Sequence, residues 1–299
     1  MICEAPAKIN LALHVTGERS DGYHDIDTLV AFATVADRIR IREACAQAVT
    51  MTLEVTGPFS NVLGENGDNL VIRAAKAFNL LAGNAAKRPV DLKLEKNLPV
   101  ASGIGGGSAD AAATLLGLAR FHGLENEFDL ASIAEGLGAD VSMCLISRML
   151  RARGTGTKIQ ILENSARFPA ILVNPGIAVS TPSVFNALEE KANPAIDFGV
   201  DGPEASVLQA MRNDLETPAM AQAPLIADVL KLIGSCPECQ LSRMSGSGAT
   251  CFGLFPSVQA AHGAAEFVKK VRPDWWCVET VLGSYEDDKR VKTIQCEAK

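Results

Sequence analysis

Long apolar runs are missing from this chain. No stretch approaches the ~20 residues that cross a bilayer as a helix, so no membrane partner is expected. A surplus of positive charge is missing too. Twenty-eight Lys and Arg stand against 35 Asp and Glu, for a net charge of −7, a poor balance for neutralising nucleic-acid phosphates. Aromatics make up only 5% of residues, with two Tyr and two Trp. The segment Met1 to Lys8 has neither the basic nor the apolar region of a secretory signal, and it is not rich in Arg and Ser like a transit peptide. The expected location is therefore cytoplasmic. Eight scattered cysteines are too few for a disulfide framework and suit a reducing compartment. Cys236 and Cys239 have C-x-x-C spacing, but no second pair stands nearby to supply the roughly four ligands of a zinc site, and no strand–helix setting marks a redox pair. His14, His24, His122 and His262 share no metal-ligand spacing. Internal repeats and low-complexity tracts are absent as well.

What is present is ordinary globular material. The 299 residues are 47% hydrophobic, enough for one large domain or two modest ones. Ile9, Leu11, Leu13 and Val15 alternate with Lys8, Asn10 and His14, the period of a strand with Lys8 and Asn10 together on the face opposite the apolar set. Arg38 to Arg42 and Val49 to Val55 repeat the alternation. Asp68 predicts a helix cap, with a helix through Val71, Ala74, Ala75, Phe78 and Leu81 that Gly83 stops. Val90, Leu92 and Leu94 read as a strand, 108–122 as an alanine-rich helix and 129–138 as another. The segment 151–157 is short of large apolar residues and marks a soft boundary, dividing the chain into 1–155 and 156–299. Beyond it, strands are expected at 170–174, 240–244 and 250–255, and helices at 182–191, 225–233 and 258–271. Strands and helices mixed in this order suggest α+β layers, not a Rossmann repeat. Residues 193–203 read as a polar, Pro/Gly-containing loop, and the charged run 286–290 as solvated surface.

The segment with the most chemistry in it is Pro99-Val100-Ala101-Ser102-Gly103-Ile104-Gly105-Gly106-Gly107-Ser108-Ala109-Asp110. A strand enters it and a helix leaves it. Its four closely spaced glycines let the backbone take positive φ and approach a ligand. Free N–H groups and the positive end of the helix dipole, with Ser108 as the cap, make an anion site suited to phosphate. No Gly-Lys-Ser/Thr ends it, so it is not a Walker loop. Alone it says that a phosphate-bearing nucleotide binds, or that the helix packs tightly.

This loop resembles the phosphate-binding motif of the GHMP kinases. Pro6 to Leu11 is similar to the N-terminal motif of that family, and Ser245-Gly246-Ser247-Gly248-Ala249-Thr250 to its C-terminal glycine motif. Gly17 to His24, with its Asp21-Gly22-Tyr23-His24 element, together with Gly138-Ala139-Asp140-Val141, Asp68-Asn69-Leu70 and Thr181-Pro182 with Phe185, resembles the branch that acts on a cytidine diphosphate-linked alcohol. The likeness runs from about residue 5 to residue 255. Two positions depart from it: Ser142 where proline is usual, and Asp110 where many relatives carry Asn.

The resemblance implies an α+β fold of two domains, the first like the second domain of ribosomal protein S5 and the second a ferredoxin-like α/β sandwich, with the active site in the cleft between them. It implies ATP and Mg2+ as cofactors, a small-molecule substrate, and a monomer or weak homodimer. Lys8 and Asp140 would be catalytic, Asp140 accepting the proton of the substrate hydroxyl and Lys8 holding it ionised. Asn69, Lys96 and the loop Pro99 to Ala109 would bind ATP, and Ser108 would help hold the metal. Asn10, Tyr23, His24, Thr181, Pro182 and Phe185 would bind substrate, with Tyr23 and Phe185 stacking on the cytosine and His24 bonding its edge. Asp110 would add negative charge near the phosphates. Without the resemblance, Asp140 reads as a helix-terminal turn residue, Lys8 and Lys96 as surface lysines and Phe185 as core. A kinase for homoserine or mevalonate-type alcohols and a nucleotide-binding regulator are the competing readings; neither needs Tyr23 and His24, and a regulator does not need Lys8 and Asp140.

Overall fold

A computed structural model describes residues 1–44, 51–62, 69–86, 88–163, 166–198, 204–285 and 290–292. Two long strands, β1 (Ile2–Glu18) and β2 (His24–Glu43), pair antiparallel and form the backbone of the molecule. Their register shifts at Pro6/Lys8, Asn10/Ala12 and Val15/Gly17. Such bulges bend a strand and re-aim its side chains, and two of them bracket Lys8 and Asn10.

Next in order come β3 (Thr52–Thr56), α1 (Leu70–Ala82), β4 (Val90–Glu95), α2 (Gly106–His122), α3 (Leu130–Leu137), α4 (Ala139–Ile146), β5 (Leu150–Gly154) and β6 (Lys158–Ile161). They are followed by β7 (Phe168–Asn174), α5 (Thr181–Asn186), α6 (Ala205–Gln209), α7 (Glu216–Gln222), α8 (Leu225–Gly234), β8 (Leu241–Met244), β9 (Cys251–Leu254), α9 (Val258–Val271), β10 (Trp276–Gly283) and β11 (Val291–Lys292). The sheet runs β11-β1-β2-β10-β7-β9-β8. The second edge of β2 is shared: Ile26–Val30 pair with β5, Phe32 and Ala33 with β10, and Arg38–Glu43 with β4. β4 in turn takes β3 in parallel, and β5 takes β6 antiparallel. The mixed α+β order expected from the sequence is the one observed.

Three apolar clusters explain the burial. One lies between α1, α2 and α4 and one face of β1, β2 and β4, with Phe78, Ile39, Leu92 and a run of alanines of α2. Alanines and Gly117 let α2 lie close on the strands; a side-chain carbon at Gly117 would meet Cys3 Sγ and Ile41 Cδ1 at 2.6 Å. A second cluster packs α5, α7, α8 and α9 on β7, β9 and β10. The third fills the other face of β1 and β2, where Ile9, Leu11 and Ala31 meet Phe168, Leu172, Leu208 and Phe252. Both faces of β1 are therefore covered. The alternation that predicts a polar face for Lys8 and Asn10 is real, but that face is buried, with Lys8 5% and Asn10 3% exposed.

Several local expectations are corrected. Asp68 lies outside the described residues, as does Val49, and Asn69 caps α1, its side chain accepting from Val71 N–H. Ser108 does not cap α2; the helix begins at Gly106 and left-handed Gly105 is its N-cap, because glycine there turns the chain without a polar side chain. The helix expected over 182–191 ends at Asn186. The turn expected after Gly138 is the start of α4, since Gly138, at φ 145°, closes α3 and opens the next helix at once. The soft boundary at 151–157 coincides with β5 and its turn to β6, where small residues make a hairpin.

Candidate active site

The loop 99–105 leaves β4 and delivers its N–H groups to the start of α2. A helix has no internal partner for its first N–H groups, so those of Gly106, Gly107 and Ser108 face outward at the positive end of α2. The loop is clamped from behind by the second glycine segment. Ser245 Oγ donates to Gly103 O at 3.0 Å and accepts from Asn10 N–H at 3.1 Å. Thr250 N–H donates to Ser102 O, and Lys8 N–H to Ile104 O. Gly103 has φ 76°, and a side chain there would begin 2.4 Å from Ser245 O. The approach of the two segments thus requires glycine.

Around this loop lies a cleft of about 870 Å3. Its walls include Lys8, Asn10, Tyr23, His24, Asn69, Lys96, Asp140, Thr181, Pro182, Phe185 and most of the loop. Lys8 Nζ donates to Asp140 Oδ1 at 2.9 Å and to Asn10 Oδ1 at 3.2 Å. Lys8 is buried, whereas the Asp140 side chain is 44% exposed to the cleft. Asp140 sits in the first turn of α4, where the helix dipole favours a carboxylate. Asn10 is held in turn by Thr28, whose Oγ1 accepts its Nδ2 at 2.8 Å and donates to Ala12 O.

At the other end of the cleft the turn 19–23 is closed by Asp21, whose Oδ1 accepts from Tyr23 N–H. The Arg19–Asp21 pair around it is exposed, and the backbone N–H of Tyr23 with the Arg19 guanidinium lowers the Asp21 carboxyl. Tyr23 is 68% exposed on the rim. The His24 and Phe185 rings lie 5.1 Å apart at 32°, and His24 Nε2 is buried with no protein partner. Phe185 is on α5, a short helix capped by Ser180, and Thr181 Oγ1 lies 2.7 Å from Ser247 Oγ.

Two members of the expected ATP-binding set do not reach the cleft with their side chains: Ile104 packs in the core between the strands, and Ala109 against the helices. A loop passing into a helix must turn part of its residues inward. Lys96 is not a surface lysine. It is 2% exposed, its ammonium shared between Asp110, at 2.7 Å, and Asp37. Asp110, the departure from the family pattern, is thereby paired. Burial pulls the Lys96 ammonium down, but the Asp110 and Asp37 carboxylates more than reverse this, and it stands above its usual value. Sequence reasoning missed Asp37 and Thr28, and it saw Ser245 and Ser247 only as parts of a motif. Asp37 carried no signal beyond its place in a strand. Among the described residues no cluster of three or more His, Cys, Asp or Glu is placed to hold a metal. Cys236 and Cys239 turn their thiols to backbone carbonyls, and burial pushes Cys236 up to about 11. No helix among the described residues is long and apolar enough to cross a membrane.

A cleft with a glycine loop at a helix start and a Lys–Asp pair beside it defines a class of phosphotransferases. The model of the GHMP kinases N terminal domain matches residues 69–148 and that of the GHMP kinases C terminal domain residues 201–274. A protein of Agrobacterium fabrum named 4-diphosphocytidyl-2-C-methyl-D-erythritol kinase is 49% identical, over 91% of this chain and 93% of its own. One of the same name from Cereibacter sphaeroides is 47% identical, over 91% and 95%. A crystal structure of 4-(cytidine 5'-diphospho)-2C-methyl-D-erythritol kinase superposes with a TM-score of 0.79 at 33% identity, over 95% of this chain and all of that one. A homoserine kinase from Cytophaga hutchinsonii shares the fold, with a TM-score of 0.69 at 18% identity. The chain belongs to the GHMP kinase family, in the branch of these 4-diphosphocytidyl-2-C-methyl-D-erythritol kinases. It is a kinase, and its phosphoryl donor is ATP.

Proposed function

We propose that the protein phosphorylates the 2-hydroxyl of 4-diphosphocytidyl-2-C-methyl-D-erythritol, giving the 2-phosphate and ADP in the non-mevalonate isoprenoid pathway. The observation that carries this reading is the Lys8–Asp140 pair, 2.9 Å apart, in one cleft with the glycine loop on one side and the His24–Phe185 rings on the other. Residues 1–155 would supply the nucleotide side and 156–299 much of the substrate side, with the cleft between them.

The nucleotide's phosphates lie on the N–H groups of Gly106, Gly107 and Ser108, with Asn69 on the wall toward the nucleoside. The cytosine lies against Phe185 and His24, with Tyr23 closing over it from the rim. Stacking of a base on an aromatic side chain is worth ~1–3 kcal/mol. The unpartnered His24 Nε2 is a hydrogen-bonding group for the base edge. Asp140 takes the proton of the attacking hydroxyl, that oxygen bonds the γ-phosphorus, and the bond to the β-phosphate oxygen breaks. Lys8 orients Asp140 through their hydrogen bond and opposes the charge that builds on the transferring group. Positioning and charge stabilisation supply most of the rate in such transfers. Magnesium usually arrives held by phosphate oxygens with few protein ligands. The cleft fits that pattern: Ser108, on its wall, offers a hydroxyl, while Asp110 is engaged by Lys96. The ion would neutralise phosphate charge.

The purified protein is expected to convert the cytidine-linked alcohol to its phosphate with ATP, and Asp140→Asn to lower kcat by ~100-fold or more while ATP binding persists. Full activity in Asp140→Asn would refute the role of Asp140. Turnover of homoserine or mevalonate in place of the cytidine compound would refute the substrate.

A further inference from the structure

The segment after β10 returns to β1 and grips the far end of α4, the helix that carries Asp140. Ser284 Oγ accepts from Met149 N–H at 2.9 Å, and Tyr285 N–H donates to Ser147 O at 2.8 Å. The Tyr285 hydroxyl bonds Glu4 of β1. β11 then adds to the edge of β1, with Val291 opposite Cys3 and Lys292 opposite Ile2. Between these anchors Arg290 turns inward, where it is 1% exposed. Its Nη1 donates to Leu145 O at 2.8 Å and its Nη2 to Cys144 O at 2.6 Å. A guanidinium carries its donors in a rigid fork, and here the fork closes on two consecutive carbonyls.

Those carbonyls are among the last four of α4, which have no partner inside the helix. A cation beside them also suits the negative end of the helix dipole. Ser147 N–H serves Met143 O and Ser147 Oγ serves Cys144 O; Arg290 supplies the donor for Leu145 O. The opposite end of α4 has no side-chain cap, because its N-cap is Gly138. Eight residues are too few for a helix to stand alone, so α4 takes its place from what touches it. Cys144 lies four residues past Asp140, about 6 Å along the axis. A rod so short passes a shift at one end to the other. At that other end Lys8 Nζ meets Asp140 Oδ1 at 2.9 Å, a hydrogen bond that tolerates little displacement.

We propose that Arg290 is a positioning residue for the phosphoryl transfer: its fork on Cys144 O and Leu145 O sets α4 so that Asp140 meets Lys8 and the substrate hydroxyl. Arg290 does not line the cleft. It acts through Asp140, and the inference rests on the reading of Asp140 as the group that takes the proton. Misplacing a reacting group by ~1 Å can lower a rate by on the order of 100-fold. The phosphate loop is held separately, by Ser245 and Thr250, so the hold on ATP is spared.

The test is a double-mutant cycle of Arg290→Met and Asp140→Asn in the full chain, with steady-state kinetics on ATP and the cytidine-linked alcohol and an ATP titration of each protein. Methionine is a long side chain without the charge or the donors. Arg290→Met should lower kcat by roughly tenfold and leave ATP affinity within about twofold of wild type. In the Asp140→Asn background the same change should lower kcat little or not at all, since residues that act as one unit are not additive. An unchanged kcat in Arg290→Met would overturn the inference. So would an equal fold loss in both backgrounds, which is what a role in stability alone gives. Should Arg290→Met fail to fold, Arg290→Lys takes its place in the cycle, keeping a cation beside the carbonyls without the fork. A loss of roughly threefold, again absent from the Asp140→Asn background, is then expected, and an unchanged kcat or an additive loss overturns the inference. Full activity of Asp140→Asn refutes the reading beneath it, whereas an impaired Asp140→Asn beside an unaffected Arg290→Met refutes this inference alone.

Discussion

Lys8 is 5% exposed, and a buried ammonium is costly unless partners hydrogen-bond it. Asp140 and Asn10 are those partners. Removing the ammonium leaves the Asp140 carboxylate facing arriving phosphates without a counter-charge. Lys8→Met is expected to reduce kcat by ~100-fold or more and to change ATP affinity far less, as steady-state kinetics beside ATP titration will show. Asp110 makes a different prediction, about stability. Its carboxyl is held at about 7 in the folded chain against 3.8 for the free group. Between those values the folded state binds the additional proton, so its contribution is fully present below about pH 4 and is lost as pH rises toward 7. Urea unfolding at pH 5 and pH 8 should show wild-type stability falling with pH through this window and a smaller fall in Asp110→Asn. Lys8, Asp140, Tyr23, His24 and Phe185, which the structure brings to one cleft, stood out in the sequence because each sits in a short motif. Asp37 was not, since a lone Asp in a strand looks the same whether it meets solvent or Lys96. Asp110 stood out as a departure, but its partner lies 14 residues away across a turn whose path local sequence does not dictate.

At the scale of elements, the site is two glycine segments locked together, with α2 projecting from one of them. Gly103→Ala would place a carbon 2.4 Å from Ser245 O and force positive φ on a residue that resists it. The expected result is a loss of ~1–3 kcal/mol in stability with a large drop in ATP affinity. Gly83→Ala, where φ is 50° but nothing lies within 4 Å, should cost only ~1 kcal/mol and leave ATP binding unchanged. Thermal melts and ATP titrations of the two variants separate strain from function. β2 shows its alternation only at 38–42, β5, β6 and β10 carry no clear alternation, and the caps of α1 and α2 are Asn69 and Gly105, not Asp68 and Ser108. β1, β4, β7, β8 and β9 and the bodies of α1, α2 and α3 do follow from period. The start of α4 does not, because Gly138 ends one helix and begins another, and a glycine stop reads the same either way. The end of α5 at Asn186 was likewise overrun, since the apolar spacing beyond it continues while the backbone does not.

Across the whole molecule the cleft exists because β1 and β2 are covered on both faces. Arg243 is one of the joints. Buried at 6% exposure, it reaches Leu11 O of β1 at 2.8 Å and Leu208 O at 3.0 Å, and it also bonds Met211 O. Burial pulls the guanidinium down to about 10, and Glu216 works the other way. Arg243→Ala would leave these carbonyls without their donor, and a loss of ~2–4 kcal/mol is expected, measurable by urea unfolding. The sequence by itself determined the α+β character, the phosphate loop, the family motifs and the chemical nature of each site residue, because these depend on local backbone freedom, periodicity and side-chain chemistry. Only the tertiary structure decided that Lys8 meets Asp140, 132 residues away, that Ser245 clamps the loop to Asn10, and that Lys96 stands behind the glycine loop between two carboxylates. Those pairings follow from the burial of both faces of one long hairpin, and the balance of apolar contact that brings distant segments onto it is not written in any short stretch of chain.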